Sequence, residues 1–247
     1  MSKTLRRRSF WPTHPVCGSL SHRVCKYCYD LSMYQWIGKE KYPESLREIA
    51  WVPERLYYEG DIALINNPKN IAVVGTRRMS EYGREVTAKF TKELVQDQWV
   101  IVSGLARGVD RVAHETCLKN GGKTIAVLAH GLDMTYPPEH RELRNRIVKA
   151  GGLIVSEHKD DVPLIRQNLA VRNRIIVGIS KCVLVTESPK SSGTKITVKF
   201  SADAGKDVYI VPGPINDPTY EGSTELMRDG CIPVFSPRDI ILQGPTL

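Results

Sequence analysis

Short apolar runs alternate with helical segments from residue 71 onward, and this alternation constrains the fold more than any other feature. The apolar runs have the length and β-branched content of strands buried inside a parallel sheet. They cover residues 71–74, 99–103, 124–129, 152–156, 182–186 and 207–211. The helical candidates between them cover residues 80–97, 110–120, 139–149, 168–179 and 194–204. We therefore predict an α/β fold in which a doubly wound, mostly parallel sheet lies between two layers of helices.

Turns rich in Gly, Ser or Thr follow four of the predicted strands. They cover residues 75–78, 103–110, 129–133 and 187–194. Ligands of doubly wound sheets bind at the carboxyl ends of the strands, so these turns converge on one edge. A glycine turn before a helix lets backbone N–H groups approach an oxyanion. The pattern predicts a phosphate-binding crevice, and the alternative is that the glycines only turn the chain.

Arginines accompany these turns. Arg77 and Arg78 follow Gly75 and Thr76 directly, and Arg166, Arg172 and Arg174 form a second group far away in sequence. The guanidinium fork matches the oxygens of a phosphate group. Several cations along one groove would suit a polynucleotide.

The charge balance agrees with a polyanionic partner. The 247 residues carry a formal net charge of +8, although many soluble proteins are modestly basic without binding nucleic acid. Residues 1–29 hold six Lys or Arg residues and no acidic residue. We find no apolar run of the ~20 residues that a membrane span needs and no secretory signal, so we expect a cytoplasmic protein without a membrane partner.

We predict two parts, a basic N-terminal segment of residues 1–40 that contains Cys and His, and an α/β domain of residues 41–247. One interpretation of the Cys and His residues in the N-terminal segment is a structural zinc site. The alternative is a helical segment with reduced cysteines. No other cofactor is expected. The candidate zinc ligands are Cys17, His22, Cys25 and Cys28, with His14 as an alternative histidine.

Catalytic candidates are few, and we expect no enzymatic activity. His114 beside Asp110 could act as a base, but a hydrogen bond within the fold and a helix cap at Asp110 require less. Glu187 could be an acid, a ribose or base contact, or a helix cap.

The ordered motifs of residues 42–232 resemble the DNA-processing protein A family, also called Smf. The matching pieces include Val73-Val-Gly-Thr-Arg-Arg78, Ser103-Gly-Leu-Ala-Arg-Gly-Val-Asp110, Tyr136-Pro-Pro-Glu139, Arg172-Asn-Arg174 and Val211-Pro-Gly213. The resemblance implies an extended Rossmann-like fold, single-stranded DNA binding, loading of a RecA-type recombinase in transformation or recombination, and a homodimer. The candidate DNA- or phosphate-binding residues are Gly75, Thr76, Arg77, Arg78, Ser103, Gly104, Arg107, Arg166, Asn168, Leu169, Arg172, Asn173, Arg174, Ser192, Gly193, Thr194 and Lys195.

The chain departs from the family pattern at three positions. Leu169 stands where the family has a phenylalanine implied to stack on a base, Lys195 adds a cation, and His130 adds an imidazole. These differences keep open a second interpretation, a nucleotide-binding sensor or nucleotide hydrolase that uses the same crevice. A third interpretation is an assembly scaffold.

Overall fold

The computed structural model describes residues 34–243 of the chain. Within that range a nine-stranded sheet runs in the order β1-β2-β6-β5-β4-β3-β7-β8-β9. The strands from β3 to β9 are mutually parallel, and β2 pairs antiparallel with both β6 and β1. The strands are β1 (Gln35–Gly38), β2 (Arg55–Gly60), β3 (Asn70–Val74), β4 (Val100–Ser103), β5 (Thr124–Leu128), β6 (Leu153–Ser156), β7 (Cys182–Val185), β8 (Val208–Ile210) and β9 (Ile232–Pro233).

Helices cover both faces of the sheet. They are α1 (Glu44–Arg47), α2 (Glu81–Gln96), α3 (Val109–Lys119), α4 (Arg141–Lys149), α5 (Arg166–Val171), α6 (Asn173–Ile179), α7 (Thr194–Asp203), α8 (Glu221–Arg228) and α9 (Pro237–Gln243). Successive strand residues point to opposite faces. In β3, Ala72 and Val74 pack with the core under α1, α6 and α7, whereas Ile71 and Val73 pack with Phe90 and Leu94 of α2. The predicted three-layer α/β fold is confirmed.

The sheet changes winding direction beside β3. From β3 the chain adds β4, β5 and β6 on one side, then returns to place β7 and β8 on the other. Loops that leave β3 and β7 in opposite directions open a crevice at the carboxyl ends of these strands. The fold therefore places the turns after β3 and β7 side by side.

All six predicted strands are present, and the differences lie mainly around them. The predicted helix at 168–179 is divided at Arg172 into α5 and α6. Strand β1 lies within the predicted N-terminal segment of residues 1–40, and it pairs with β2. No helix in residues 34–243 is both long and apolar enough to cross a bilayer. The candidate zinc ligands Cys17, His22, Cys25 and Cys28 lie outside the described residues.

Candidate functional site

A cleft of about 710 Å³ opens at the carboxyl ends of β3 and β7. Its walls are the turn after β3, the α5–α6 segment and the loop that leads into α7. The cleft brings together most of the residues predicted for this site. The predicted residues that line it are Gly75, Thr76, Arg77, Arg78, Arg166, Leu169, Arg172, Asn173, Ser192, Gly193 and Thr194.

Three arginines of the cleft are free to bind a ligand. The side chains of Arg77, Arg78 and Arg166 are exposed, and none has a hydrogen bond or ion pair with another residue in the range 34–243. A guanidinium that no protein carboxylate neutralises keeps its donors for a phosphate. These three side chains supply the electropositive character of the cleft.

The turn that carries Arg77 and Arg78 is fixed by its backbone. Thr76 N–H donates to the Glu187 carbonyl at 3.0 Å, and Val109 N–H donates to the Thr76 carbonyl at 3.2 Å. A Cβ on Gly75 would lie 2.6 Å from Val109 Cγ2 and 2.8 Å from the Glu187 carbonyl oxygen, so only glycine fits. Because the turn is held by these contacts, both arginine side chains are left to the cleft.

Arg172 forms part of the cleft wall but is not a free cation. It is 4% exposed, and Nη1 donates to the Gly104 carbonyl at 2.9 Å and to the Val127 carbonyl. Burial lowers the pKa of Arg172 to about 10, against the opposing effect of the Asp110 carboxylate. The Nη1 donors of Arg172 are therefore used within the fold, and a phosphate contact of Arg172 stays a prediction.

Asp110 closes the turn that follows β4. Its Oδ2 accepts hydrogen bonds from the N–H groups of Gly104 at 3.1 Å and Ala106 at 3.2 Å. The pKa of Asp110 is raised by burial, which the nearby Arg172 opposes. Asp110 does not cap α3, because Gly108 is the N-cap residue and no side chain caps that helix. These backbone donors are thus used within the fold. The Ser103 hydroxyl is also used, because it donates a hydrogen bond to the Val73 carbonyl at 2.7 Å.

Arg174 and Lys195 lie outside the cleft lining, contrary to expectation. Arg174 is 4% exposed and donates to both carboxylate oxygens of Glu157, at 2.7 and 2.6 Å. Lys195 pairs with Glu225 at 2.6 Å, which lowers the pKa of that carboxyl group. Both cations are therefore paired with carboxylates that are distant in sequence, and the sequence pattern did not reveal these pairs.

Glu187 occupies the N-terminus of α2. Its carboxylate accepts hydrogen bonds from Ser80 N–H at 3.0 Å, from Ser80 Oγ at 2.8 Å and from the Tyr220 hydroxyl at 3.3 Å. A Cβ on Gly83 would lie 1.7 Å from Glu187 Oε2, so the helix makes room for this carboxylate. Burial raises the pKa of Glu187. Ser80 is the N-cap residue of α2, and Glu187 binds that residue, so the end of α2 where a small nucleotide phosphate could bind is already occupied.

His114 is also committed to the fold. Its Nδ1 lies 2.7 Å from Thr124 Oγ1, and that hydroxyl donates its hydrogen to the Ile101 carbonyl at 2.7 Å. Nδ1–H must therefore be the donor of the histidine contact. Burial lowers the pKa of His114 to about 3, so the ring is neutral at physiological pH. This agrees with the structural interpretation of His114.

A smaller cavity of about 30 Å³ adjoins the cleft and contains the residue that sequence reasoning missed. It shares Arg77, Leu169 and Arg172 with the cleft, and Tyr136 lies in its lining. Predicted residues Gly104 and Arg107 also line this cavity, whereas Ser103 and Asn168 line neither space. The position of Tyr136 shortly after the 129–133 turn was the available signal, since that turn also ends at the ligand-binding edge.

Comparison with known proteins identifies relatives of the whole described domain. The model of the family described as "DNA recombination-mediator protein A" matches residues 33–244. Protein Smf of Escherichia coli (strain K12) is 39% identical over 202 residues, which cover 82% of this chain and 54% of that protein. The chain thus spans about half the length of that relative.

Two solved structures share the fold and about a third of the sequence. DNA processing protein A from Streptococcus pneumoniae superposes with a TM-score of 0.83 at 34% identity, covering 89% of this chain and 77% of that one. DNA processing protein A from Helicobacter pylori gives a TM-score of 0.76 at 29% identity, covering 85% of this chain and 96% of that one. The description of the Helicobacter structure reports a unique single-stranded DNA binding mode for that protein.

Proposed function

The chain belongs to the DNA recombination-mediator protein A family, and from that membership we propose that it binds single-stranded DNA in the cleft between β3 and β7. One observation carries the proposal. Arg77, Arg78 and Arg166 point free guanidiniums into a cleft of about 710 Å³. Phosphates of a strand lying there would be neutralised by these side chains and would release their condensed counterions to solution.

A polynucleotide suits this cleft better than a small nucleotide does. The α2 N-terminus beside Gly75 would be the natural place for the phosphate of a bound nucleotide. Glu187 already holds that position through Ser80, and a second anion there would be repelled. The free cations instead line the cleft from two elements, the turn after β3 and the start of α5, which suits several phosphates of one strand.

We also propose that the protein acts without catalysis. The two catalytic candidates, Glu187 and His114, are both held by hydrogen bonds to neighbouring residues of the fold. From the family we further propose that the protein protects single strands in transformation or recombination and loads a RecA-type recombinase onto them. A homodimer is the proposed assembly.

The proposal is tested by comparing ligands of one chemistry and different length. Fluorescence anisotropy with single- and double-stranded oligonucleotides of the same sequence should show preferential binding of the single strand. Calorimetry with a panel of mononucleotides should show much weaker binding. Tight mononucleotide binding without appreciable affinity for DNA would instead support the nucleotide sensor or hydrolase.

Recombinase loading needs its own measurement. The protein should shorten the lag before a RecA-type recombinase hydrolyses ATP on single strands covered by a single-strand-binding protein. An unchanged lag would remove the loading function and leave DNA binding untouched.

A further inference from the structure

We propose that the Tyr136 ring is a stacking platform for one base of the bound strand, at the mouth of the small cavity beside the cleft. This inference rests on the proposed function, since a base arrives there only when a strand occupies the cleft. It assigns a base contact in addition to the phosphate contacts of the arginines.

The position of Tyr136 connects it to the phosphate site. Arg77 lines both the cleft and the small cavity, and so do Ala106, Leu169 and Arg172. If the phosphate of a nucleotide contacts Arg77, its base can lie over the cleft or over the small cavity. A base over the small cavity would contact Tyr136.

The ring is available and its surroundings suit a base. Tyr136 is 40% exposed, and it is the only phenyl or phenol ring among the described residues that line either space. Apolar side chains of Leu128, Pro137 and Leu169 lie around it. Stacking on an aromatic face tolerates any base, because every base has a π-face.

Tyr136 is positioned before any strand binds. It lies in the lining of the small cavity together with Arg107, and Arg107 is held by an ion pair with Glu139 at 2.7 Å. The preceding backbone is fixed because buried Arg144 donates to the Met134 carbonyl at 2.9 Å. A ring that is already positioned lowers the entropic cost of binding.

The size of the cavity defines how the base would lie. A volume of about 30 Å³ holds roughly two water molecules, so a base cannot enter it. The base would instead lie across the mouth with its face on Tyr136. Its Watson–Crick edge is then left unread, and little discrimination between bases is expected.

The main test uses Tyr136→Leu, which removes the ring and keeps an apolar side chain. Its affinity for an oligothymidine strand should fall about 5- to 150-fold, the value of one base–aromatic stack. Tyr136→Phe keeps the ring and should stay within about twofold of the wild type. Tyr82→Leu is the matched control, since Tyr82 is also 40% exposed but lines neither space.

Two further measurements separate stacking from a structural effect. On a strand of abasic nucleotides, Tyr136→Leu and the wild type should bind equally, because no base remains to stack. A strand carrying 5-iodouracil should photocrosslink to the peptide that contains Tyr136, and this readout holds even if Tyr136→Leu fails to fold.

The inference is overturned if Tyr136→Leu binds base-bearing strands like the wild type, or loses as much affinity on abasic strands. For a misfolded Tyr136→Leu, crosslinking that avoids the Tyr136 peptide overturns it. Failure of the proposed function looks different. In that case the wild type itself has no affinity for single strands.

Discussion

Arg77 and Arg172 are the same residue type at one cleft, yet their chemical environments are opposite. Arg77 is exposed without a partner in the described part of the chain. Arg172 is buried, donates to two backbone carbonyls and faces Asp110. We therefore expect ligand binding to depend on Arg77, and the integrity of the cleft wall to depend on Arg172.

Substituting these two arginines should separate binding from stability. Arg172→Ala leaves Asp110 buried without its counter-charge, and it should lower the free energy of unfolding by about 3–5 kcal/mol. Arg77→Ala removes an exposed, unpaired side chain and should change that free energy by less than about 0.5 kcal/mol. Urea unfolding measures both. An Arg172→Ala protein as stable as the wild type would contradict the assigned role of Arg172.

For single residues, the sequence predicted which side chains could bind phosphate, but not which of them form ion pairs within the fold. The turn of Gly75 and the arginines after it were predictable, because strand, glycine and cation are adjacent in the chain. Arg174 and Lys195 were predicted as ligand-binding cations, but they are paired with Glu157 and Glu225. Partners that are 17 and 30 residues away meet only through the tertiary fold, so no local pattern identifies them.

At the scale of elements, the β4–α3 turn depends on the absence of one Cβ. A Cβ on Gly104 would lie 2.3 to 2.6 Å from the Arg172 guanidinium, and that group is held by two carbonyls and cannot withdraw. Gly104→Ala should therefore lower the free energy of unfolding by about 1–3 kcal/mol, the usual cost of overpacking.

Gly193→Ala is the matched control for that substitution. A Cβ on Gly193 meets nothing within 4 Å, and its φ of −62° and ψ of −14° suit alanine. Its free energy of unfolding in urea should be unchanged or slightly raised. Equal destabilisation by both substitutions would mean that Arg172 is not held as described.

The packing of α3 on β5 should make the free energy of unfolding depend on pH. The pKa of His114 is about 3 in the folded protein, because burial opposes protonation, against an ordinary value of 6.5. The unfolded chain thus binds more protons below pH 6.5, and the free energy of unfolding falls as the pH falls from 6.5 towards 3. This one group contributes a slope of up to ~1.4 kcal/mol per pH unit.

His114→Gln removes that ionisation and tests its sign. The variant should start with a lower free energy of unfolding at pH 8, because the contact with Thr124 is altered, and should lose less of it on acidification. Urea unfolding at a series of pH values measures the two slopes. Parallel curves for variant and wild type would show that His114 is not kept neutral by the fold.

The elements themselves were predictable where the pattern was strong. All six parallel strands with β-branched apolar runs were predicted, since full burial requires such runs. The short strands β1 and β9 have few residues and no comparable run, so they gave no signal. The division of the 168–179 helix occurs at Arg172, whose side chain is drawn to the β4 and β5 edges. Only the assembled sheet provides those carbonyls.

At the scale of the whole molecule, the fold class followed from the order of strands and helices. The site followed in outline, because doubly wound sheets bind ligands at their carboxyl edge. The antiparallel addition of β1 and β2 depended on tertiary pairing and was not predictable in detail. Tyr136 was overlooked for the same reason, since only the folded loops bring it beside Arg77 and Leu169.

The basic N-terminal segment carries a separate prediction for the whole chain. If Cys17, His22, Cys25 and Cys28 form a zinc site, the purified protein should contain stoichiometric zinc by elemental analysis. Replacing Cys25 and Cys28 together by serine should remove it. Protein purified without chelators that contains no zinc would leave the helical-segment interpretation of these residues.

The salt dependence of single-strand binding tests the central claim most directly. Anisotropy titrations of one labelled oligothymidine at several salt concentrations should give a linear fall of log affinity with log salt for the wild type. Arg77→Ala should weaken binding and reduce the slope by about one unit, as expected for one lost phosphate contact. Arg146→Ala removes an exposed arginine of α4 that lines neither space, and it should match the wild type. If Arg77→Ala binds with the affinity and slope of the wild type, the strand does not lie in this cleft.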